Sequence, residues 1–272
     1  MLPGFGLSLG ITTATLGLLV VIPLAGLVLA ASWAGPEAFW HAIATPRALS
    51  AFRVSFGLAA AAALLDVPLG LLLAWALTRY RFPGRRILDA VVDLPFALPT
   101  SVAGIALATL FVDDGWIGAW LAPLGIHVAF SPLGIGAALA FVGLPFVVRS
   151  VQPVLAEFER DAEEAALTLG AGPVQVFTRV ILPALFPALL TGMALALARG
   201  VGEYGSVIFI AANRPGQSEI VPLLIVGRLE QFDYAGAAAL GTAMLVLSFG
   251  LLAGMGTLQA RLHRRSASSL AA

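Results

Sequence analysis

Long apolar stretches constrain this chain more than any other feature of its sequence. A bilayer core about 30 Å thick is crossed by about 20 apolar residues in a helix. Stretches near that length recur, and no charged residue lies between Leu2 and Pro36. With 60% hydrophobic and 11% charged residues, the chain has more apolar surface than a soluble fold of 272 residues can bury. We therefore predict an all-α, polytopic membrane protein with six transmembrane helices, at about residues 9–31, 54–77, 94–112, 132–148, 184–210 and 235–260.

Two apolar segments need a separate interpretation. The first predicted span has no basic region before it and runs well past the length of a signal peptide, so we interpret it as a retained membrane helix. The stretch 220–227 is too short to cross a bilayer. It is therefore predicted to form a helix that lies at one membrane face or packs against the bundle.

The positions of the arginines predict which loops face the cytoplasm. All 15 basic residues are arginines, and arginine-rich loops stay cytoplasmic. The loops after spans two and four and the C-terminal tail hold ten of them, at positions 79, 81, 85, 86, 149, 160, 179, 261, 264 and 265. The opposite side holds four, at positions 47, 53, 214 and 228. This bias predicts a multi-pass protein with both termini in the cytoplasm.

The composition excludes several kinds of chemistry. A phosphate-binding P-loop needs a lysine, and the chain has none, so any ATP hydrolysis belongs to another polypeptide. The absence of cysteine excludes thiolate catalysis, and His41, His127 and His263 lack the spacing of metal ligands. The net charge is zero, which gives no electrostatic argument for a nucleic-acid partner. We expect a protein that is not an enzyme and that binds no metal or cofactor itself.

The longest connection on the predicted cytoplasmic side, residues 149–183, has a helical pattern. Acidic residues are concentrated in its first half and are followed by alanines and leucines. Gly170, Gly172 and Pro173 then break the helix, because glycine allows a sharp turn and proline cannot continue a helix. A second short helix is predicted at 174–181, ending at Leu182 and Pro183. The expected result is a helix, a sharp turn and another helix outside the lipid.

The spacing within this loop resembles the EAA motif of ABC importer permeases. The matching residues are Glu164, Ala165, Ala166, Gly170, Leu182 and Pro183, with Val180 where isoleucine is usual. In that family the loop forms a coupling helix seated in a groove of the ATPase subunit. The resemblance implies that the small alanines allow close approach and that Glu164 anchors the partner through charge-assisted hydrogen bonds. The alternative, a surface amphipathic helix ended by an ordinary glycine, is disfavoured by the full spacing.

Seven further segments along the chain carry a wider resemblance: LPGF at 2–5, TRYRFPG at 78–84, DLPFALPT at 93–100, PFVVR at 145–149, GEYG at 202–205, FIA at 209–211 and FDY at 232–234. Together they resemble the T-type permease (CysT) family of sulfate and thiosulfate ABC importers over essentially the whole chain. This resemblance implies a type I importer permease in the bacterial inner membrane, with residues 1–50 as an N-terminal helix and loop, 51–260 as the permease core and 261–272 as a cytoplasmic tail. It also implies a homologous W-type permease, an ATPase dimer that binds ATP–Mg and a periplasmic sulfate- or thiosulfate-binding protein.

Charged residues inside predicted spans need a reason, because a charge at mid-bilayer costs at least about 2.5–3.5 kcal/mol. Arg199 and Glu203 lie four residues apart, on one face of the predicted fifth span. Either they neutralise each other, or Arg199 faces a translocation path for a dianion and Glu203 limits the strength of binding. Asp66 is interpreted as a helix-packing residue. Asp93 and the prolines that open span three favour a structural role over a gating hinge.

The sequence alone leaves other functions open. The same machine carrying molybdate, tungstate or another oxyanion is the nearest alternative. A secondary transporter would show inverted repeats with matching broken helices, and none is visible in the sequence. A membrane-embedded enzyme is a third alternative, but no nucleophile–base pair or metal motif supports it.

Overall fold

The computed structural model describes residues 5–270, without the side chains of residues 258 and 260–270. The LPG part of the first family segment and the last two residues therefore lie outside the described residues, as do the side chains of the predicted tail. The described part is helical and contains no strand. Its helices are α1 Phe5–Trp33, α2 Gly35–Ile43, α3 Pro46–Arg79, α4 Arg85–Val92, α5 Leu94–Ala97, α6 Thr100–Phe111, α7 Gly118–Leu121, α8 Pro132–Glu157, α9 Arg160–Thr168, α10 Pro173–Val201, α11 Val207–Ile210, α12 Val221–Glu230 and α13 Tyr234–Leu270.

Five of the described helices are long and apolar enough to cross a bilayer: α1, α3, α8, α10 and α13. The short apolar helix α6 falls within the third predicted span. The prediction of an all-α protein is confirmed, and the six predicted spans correspond to these five long helices and one short one.

The third predicted span, 94–112, is not one continuous helix. It is divided into α5 and α6 by Leu98, which has an extended backbone with φ −84° and ψ 137°. Pro99 accounts for the break, because a proline ring clashes with a preceding residue in helical conformation. The helical residues therefore lie within the predicted boundaries, but they form two separate helices instead of one.

The fifth predicted span, 184–210, also ends earlier than expected. Its helix α10 stops at Val201, and a turn through Gly202 leads to the separate short helix α11. The two glycines of the GEYG segment explain this ending, since glycine is a poor helix former and a common helix terminator. Glu203 thus lies beyond the helix rather than on its face.

The core of the bundle is formed by α3, α8 and α10. Their backbones approach closely, because a Cβ atom at Gly192 would lie 2.6 Å from the Cα atom of Val147 and one at Gly70 would lie 2.7 Å from the Cβ atom of Val147. Small residues at such crossings are the usual means of packing helices in a membrane. The N-terminal helix α1 lies outside this core and packs on α13.

The prediction of a helix at 220–227 is confirmed by α12. It packs against α3 and α13 through Val221 and Leu224, which are both buried. The Ser55 hydroxyl accepts a hydrogen bond of 2.8 Å from the Val221 amide and so fixes the start of the helix. Two residues before the helix begins, Glu219 accepts two hydrogen bonds of 2.8 and 2.6 Å from the Arg47 guanidinium.

Candidate functional site

The loop between α8 and α10 folds into a protruding elbow, which we define as residues 160–181. Its first limb is α9 and its second limb is the start of α10. Gly170 has φ 88°, a backbone conformation that residues with a Cβ atom rarely adopt. The predicted helix and sharp turn are therefore present, with Gly170 at the turn.

The second limb differs from the prediction, because it does not end at Leu182 and Pro183. It continues into the membrane helix through a π-helical turn, Phe177–Ile181, in which the Leu182 amide donates to the Phe177 carbonyl five residues back. Proline has no amide hydrogen, and a wider turn just before it lets the helix accommodate the missing donor. The elbow is thus continuous with a membrane-spanning helix.

The tip of the elbow exposes both apolar and charged side chains. Leu169 is 88% exposed and Val174 is 75% exposed, on either side of the turn. Glu164 and Ala165 are also exposed, and the Glu164 carboxylate has no hydrogen-bond or ion-pair partner among the described residues. The elbow therefore presents exposed apolar side chains beside the turn and an unpaired carboxylate on its first limb, a combination suited to contact with another protein.

The inner side of the elbow is fastened to the end of α3. Glu163 accepts a hydrogen bond of 2.5 Å from Arg79, and the Arg79 guanidinium carbon lies 5.4 Å from the centre of the Trp75 ring. Trp75 in turn meets Phe177 of the second limb edge to face, with ring centres 5.7 Å apart. These four residues link both limbs to one helix, and the sequence analysis did not identify them.

The remaining residues of the predicted coupling motif face the bundle or its edge. Ala166 and Leu182 pack against the main hydrophobic core. Pro183 is exposed in the first turn after the π-helical segment. The structure thus places Glu164, Ala165 and Gly170 on the exposed part of the elbow, and it uses Ala166 and Leu182 to hold the elbow against the bundle.

A second charged network joins α4 to α8. Arg149 donates to both carboxylate oxygens of Asp93 at 2.8 and 2.5 Å and to Asp89 at 2.7 Å. Gln152 accepts a further hydrogen bond of 2.5 Å from Arg149. The hydrogen bond from Arg149 lowers the pKa of Asp89 below its ordinary value, and Coulombic attraction adds to this effect. Asp93 therefore has a structural partner, in line with the structural role favoured from the sequence.

Arg199 and Glu203 are brought together, as the sequence pattern predicts. Glu203 is 2% exposed and forms an ion pair with Arg199. Its other oxygen accepts hydrogen bonds of 2.9 Å from the backbone amide and the hydroxyl of Ser206. Both carboxylate oxygens of Glu203 are thus engaged, whereas the Arg199 side chain remains 36% exposed.

The turn that carries Glu203 packs tightly against α6. A Cβ atom at Gly104 would lie 2.7 Å from the Cα atom of Ser206. A Cβ atom at Gly205 would lie 3.1 Å from the Cβ atom of Thr100. The break after α10 and the short helix α6 therefore form one close contact, in which glycine is required on both sides.

Asp66 is buried in the bundle. It is 1% exposed, and its carboxylate oxygens have no hydrogen-bond partner among the described residues. It lies against Gly143 of α8, where a Cβ atom would contact the Asp66 carboxylate and lie 3.2 Å from the Cβ atom of Ala196. This position between three helices agrees with its interpretation as a packing residue. The described residues hold no group of three or more His, Asp or Glu suited to a metal ion.

The fold is shared with type I ABC importer permeases. One solved structure, a bacterial ABC transporter involved in the import of the acidic polysaccharide alginate, superimposes with a TM-score of 0.75 at 16% identity, covering 92% of each chain. The methionine ABC transporter MetNI in an inward-facing conformation gives a TM-score of 0.56 at 19% identity, covering 78% of this chain and 92% of that one. At these identities the likeness concerns the fold alone.

A family model described as the inner membrane component of binding-protein-dependent transport systems matches residues 66–267, so the chain belongs to that family. Its curated relatives narrow the assignment to the sulfate transport permeases named CysT. The Escherichia coli K12 protein of that name is 48% identical over 97% of this chain and 96% of its own length. The Synechocystis protein is 50% identical, covering 89% and 85%, and a probable cysT of Nephroselmis olivacea is 52% identical with the same coverage. The family is one of transport permeases, not enzymes, and of multi-pass inner membrane proteins.

Proposed function

We propose that this chain is the transmembrane permease subunit of an ATP-driven importer of sulfate. The observation that carries the proposal is the 48% identity to a sulfate transport permease over nearly the whole chain. The exposed elbow supports it, since a permease without a P-loop needs a surface on which a separate ATPase can act. Thiosulfate, which the resembling family of importers also carries, is a second proposed cargo.

The elbow is proposed to transmit the motion of the ATPase. Its tip offers the free Glu164 carboxylate and the exposed Leu169, while its inner side is fastened to α3 through Arg79. Because the second limb is continuous with α10, a displacement of the tip moves α3 and α10 together. Closure of the ATPase dimer would therefore tilt the core of the bundle from an inward-facing to an outward-facing arrangement.

Three partners complete the proposed machine. An ATPase dimer would bind ATP–Mg and receive the elbow, and this chain would contribute no group to hydrolysis. A homologous W-type permease would form the other half of the path. A periplasmic binding protein would deliver the anion, and the family description of a binding-protein-dependent system supports this partner. No nucleic acid is expected, and the lipid bilayer surrounds the apolar helices.

Arg199 is proposed to contact the anion in the path. Glu203 already neutralises part of its charge, and the exposed part of the guanidinium retains free N–H donors. A partly neutralised arginine suits a transport path, because strong binding would hinder release of the dianion. The sequence also left open a purely structural Arg199–Glu203 pair. The complete engagement of Glu203 supports a structural role for the glutamate, and the proposal concerns the exposed part of Arg199.

The coupling proposal is tested by Glu164→Lys and Gly170→Pro. Both are expected to abolish ATP-dependent sulfate uptake in proteoliposomes, the first by reversing the docking charge and the second because proline cannot adopt φ 88°. Glu157→Lys, also exposed on the predicted cytoplasmic side but outside the elbow, is the matched control. Membrane insertion should remain intact in both variants, and uptake that survives either elbow change would contradict the proposal.

The cargo and the class of transporter are tested by reconstitution. The chain is assembled with its W-type partner, ATPase and binding protein, and sulfate uptake is measured in competition with thiosulfate and molybdate. Competition by thiosulfate but not molybdate is expected. Uptake by the chain alone, driven by an ion gradient, would instead identify a secondary transporter, while preferential molybdate uptake would assign the other oxyanion.

A further inference from the structure

A basic cavity lies where α3 leaves the bundle and the chain turns into α4. Its volume is about 390 Å³, and it is open to the surroundings of the protein. Gly84, with φ 86°, makes the turn that brings the two sides of the cavity together. The residues that line it are Arg81, Phe82, Gly84, Arg85, Arg86 and Ile87.

The three arginines of this cavity are not used by the fold. Arg79 and Arg149 nearby are engaged in ion pairs, whereas Arg81, Arg85 and Arg86 are exposed and form none within residues 5–257. Among the described residues, the side chain of Arg85 is attracted to the Asp89 carboxylate, and those of Arg81 and Arg86 have no acidic partner. Within the part of the chain that the structure describes, the cavity therefore concentrates positive charge that Asp89 offsets only in part.

Apolar side chains lie beside these charges and face outward. On α4, Leu88 and Val92 pack toward the bundle, whereas Ile87 is 71% exposed and Val91 is 47% exposed. Tyr80, at the end of α3, is 59% exposed. These exposed apolar side chains come soon after Arg79, where α3, a helix long and apolar enough to span a bilayer, ends. A helix with one charged side and one exposed apolar side at this depth is typical of a membrane interface.

We propose that this cavity binds the phosphate headgroup of an anionic phospholipid of the inner leaflet. The guanidinium groups of Arg81, Arg85 and Arg86 match phosphate oxygens, since arginine presents paired N–H donors to such groups. Ile87 and Val91 lie where the acyl chains would run. The adjoining exposed apolar side chains favour a lipid over a small free anion, because only a lipid has acyl chains that could contact them. Clusters of arginine immediately cytoplasmic of a spanning helix are the usual form of such sites. The inference does not depend on which anion the protein transports.

The site is tested on the full-length purified chain by native mass spectrometry. Phosphatidylglycerol and phosphatidylethanolamine with the same acyl chains are titrated separately, with inorganic phosphate as a competitor. Arg81→Gln/Arg86→Gln removes two cavity charges and leaves Arg85 beside Asp89. Arg160→Gln/Arg179→Gln removes two exposed, unpaired charges of the elbow on the same predicted side and is the matched control.

We expect one phosphatidylglycerol per chain to be retained in preference to phosphatidylethanolamine. The cavity variant should bind phosphatidylglycerol about 30-fold more weakly, because each arginine near an anionic membrane surface contributes about 1 kcal/mol and two are removed. The control variant should bind it as the native chain does. Equal retention of both lipids, or an equal loss in the control, would overturn the proposal. Full displacement by inorganic phosphate would show an oxyanion site without lipid. Displacement of the lipid by the ATPase subunit, with loss of ATPase binding in the cavity variant, would assign the cavity to that subunit instead.

Discussion

Two glutamates, one at the tip of the elbow and one beyond the end of α10, are held in opposite ways. Glu164 is exposed and has no partner within the residues described here. Glu203 is 2% exposed, and its oxygens are occupied by Arg199 and Ser206. The sequence singled out Glu164 as part of the coupling motif and Glu203 as a charge inside a predicted span. Their surroundings show that the first is available to another molecule, whereas the second is part of the fold.

The difference separates a residue that is proposed to transmit motion, Glu164, from one that is embedded in the fold, Glu203. A buried carboxylate that is fully hydrogen-bonded is costly to remove, because its partners are left unpaired in a medium of low dielectric. An exposed carboxylate contributes little to folding and can be changed without affecting the fold. Stability and coupling should therefore respond to different mutations, which gives a direct way to test the comparison.

The largest effect on stability is expected for Glu203→Ala. It leaves the Ser206 amide and hydroxyl without their acceptor and Arg199 without its counter-charge, at a cost of about 3 kcal/mol. Glu203→Gln keeps an oxygen acceptor and should cost less. Glu164→Ala should change stability by less than about 0.5 kcal/mol. Unfolding in detergent, followed by circular dichroism, measures all three, and equal losses for the two alanine variants would break the comparison.

A smaller loss is expected for Gly104→Ala, which tests whether α6 holds the Glu203 turn in place. The added methyl group would meet the Ser206 backbone, and such overpacking costs about 1–3 kcal/mol. Gly136→Ala on α8 is the matched control, because nothing lies within 4 Å of its Cβ position. Alanine there should be neutral or stabilising. If the two variants unfold alike, the close contact at Ser206 is absent.

The fastening of the elbow to α3 should contribute about 1 kcal/mol, since the Arg79–Glu163 pair is only partly buried. A double-mutant cycle with Arg79→Ala and Glu163→Ala measures this coupling energy. The same cycle with Arg79→Ala and Glu164→Ala is the control, and we expect no coupling there because Glu164 is exposed and forms no ion pair with Arg79. If the cycle with Glu163 shows no more coupling than the cycle with Glu164, the Arg79–Glu163 pair does not hold the elbow against α3.

The sequence was sufficient for the elements that depend on local composition. Long apolar runs predicted the spanning helices, and Gly170 predicted the turn of the elbow. The breaks at Leu98 and Gly202 were missed although Pro99 and the GEYG glycines carried the signal, because hydropathy outweighed the local breakers. Such breaks are tolerated in a membrane where neighbouring helices satisfy the freed backbone groups.

Contacts between distant parts of the chain could not be predicted from the sequence. Arg79 and Glu163 are 84 positions apart, and Arg47 and Glu219 are 172 apart. Periodicity within a helix indicates which face is buried, but it does not identify which charge across the bundle will meet it. The fastened side of the elbow therefore became visible only in the structure, whereas its exposed tip was predicted from the motif.

The smallest effect is expected at Asp89, a half-exposed carboxylate that lies between the two extremes represented by Glu164 and Glu203. The hydrogen bond from Arg149 lowers its pKa in the folded protein below the ordinary value of 3.8. A carboxyl group with a lowered pKa stabilises the fold above its unfolded pKa, and this stability is lost as the pH falls through the folded pKa. Asp89→Asn should therefore cost about 0.5 kcal/mol at pH 7, and the difference from the native chain should shrink as the pH falls below about 4 and the native carboxyl is protonated. Unfolding curves of both proteins from pH 7 to pH 3 measure this, and 1 M salt should shrink the difference at pH 7 because the pair is partly exposed to solvent. A difference that grows toward low pH would mean that the carboxylate is destabilised in the fold, and that Arg149 does not hold α4 through it.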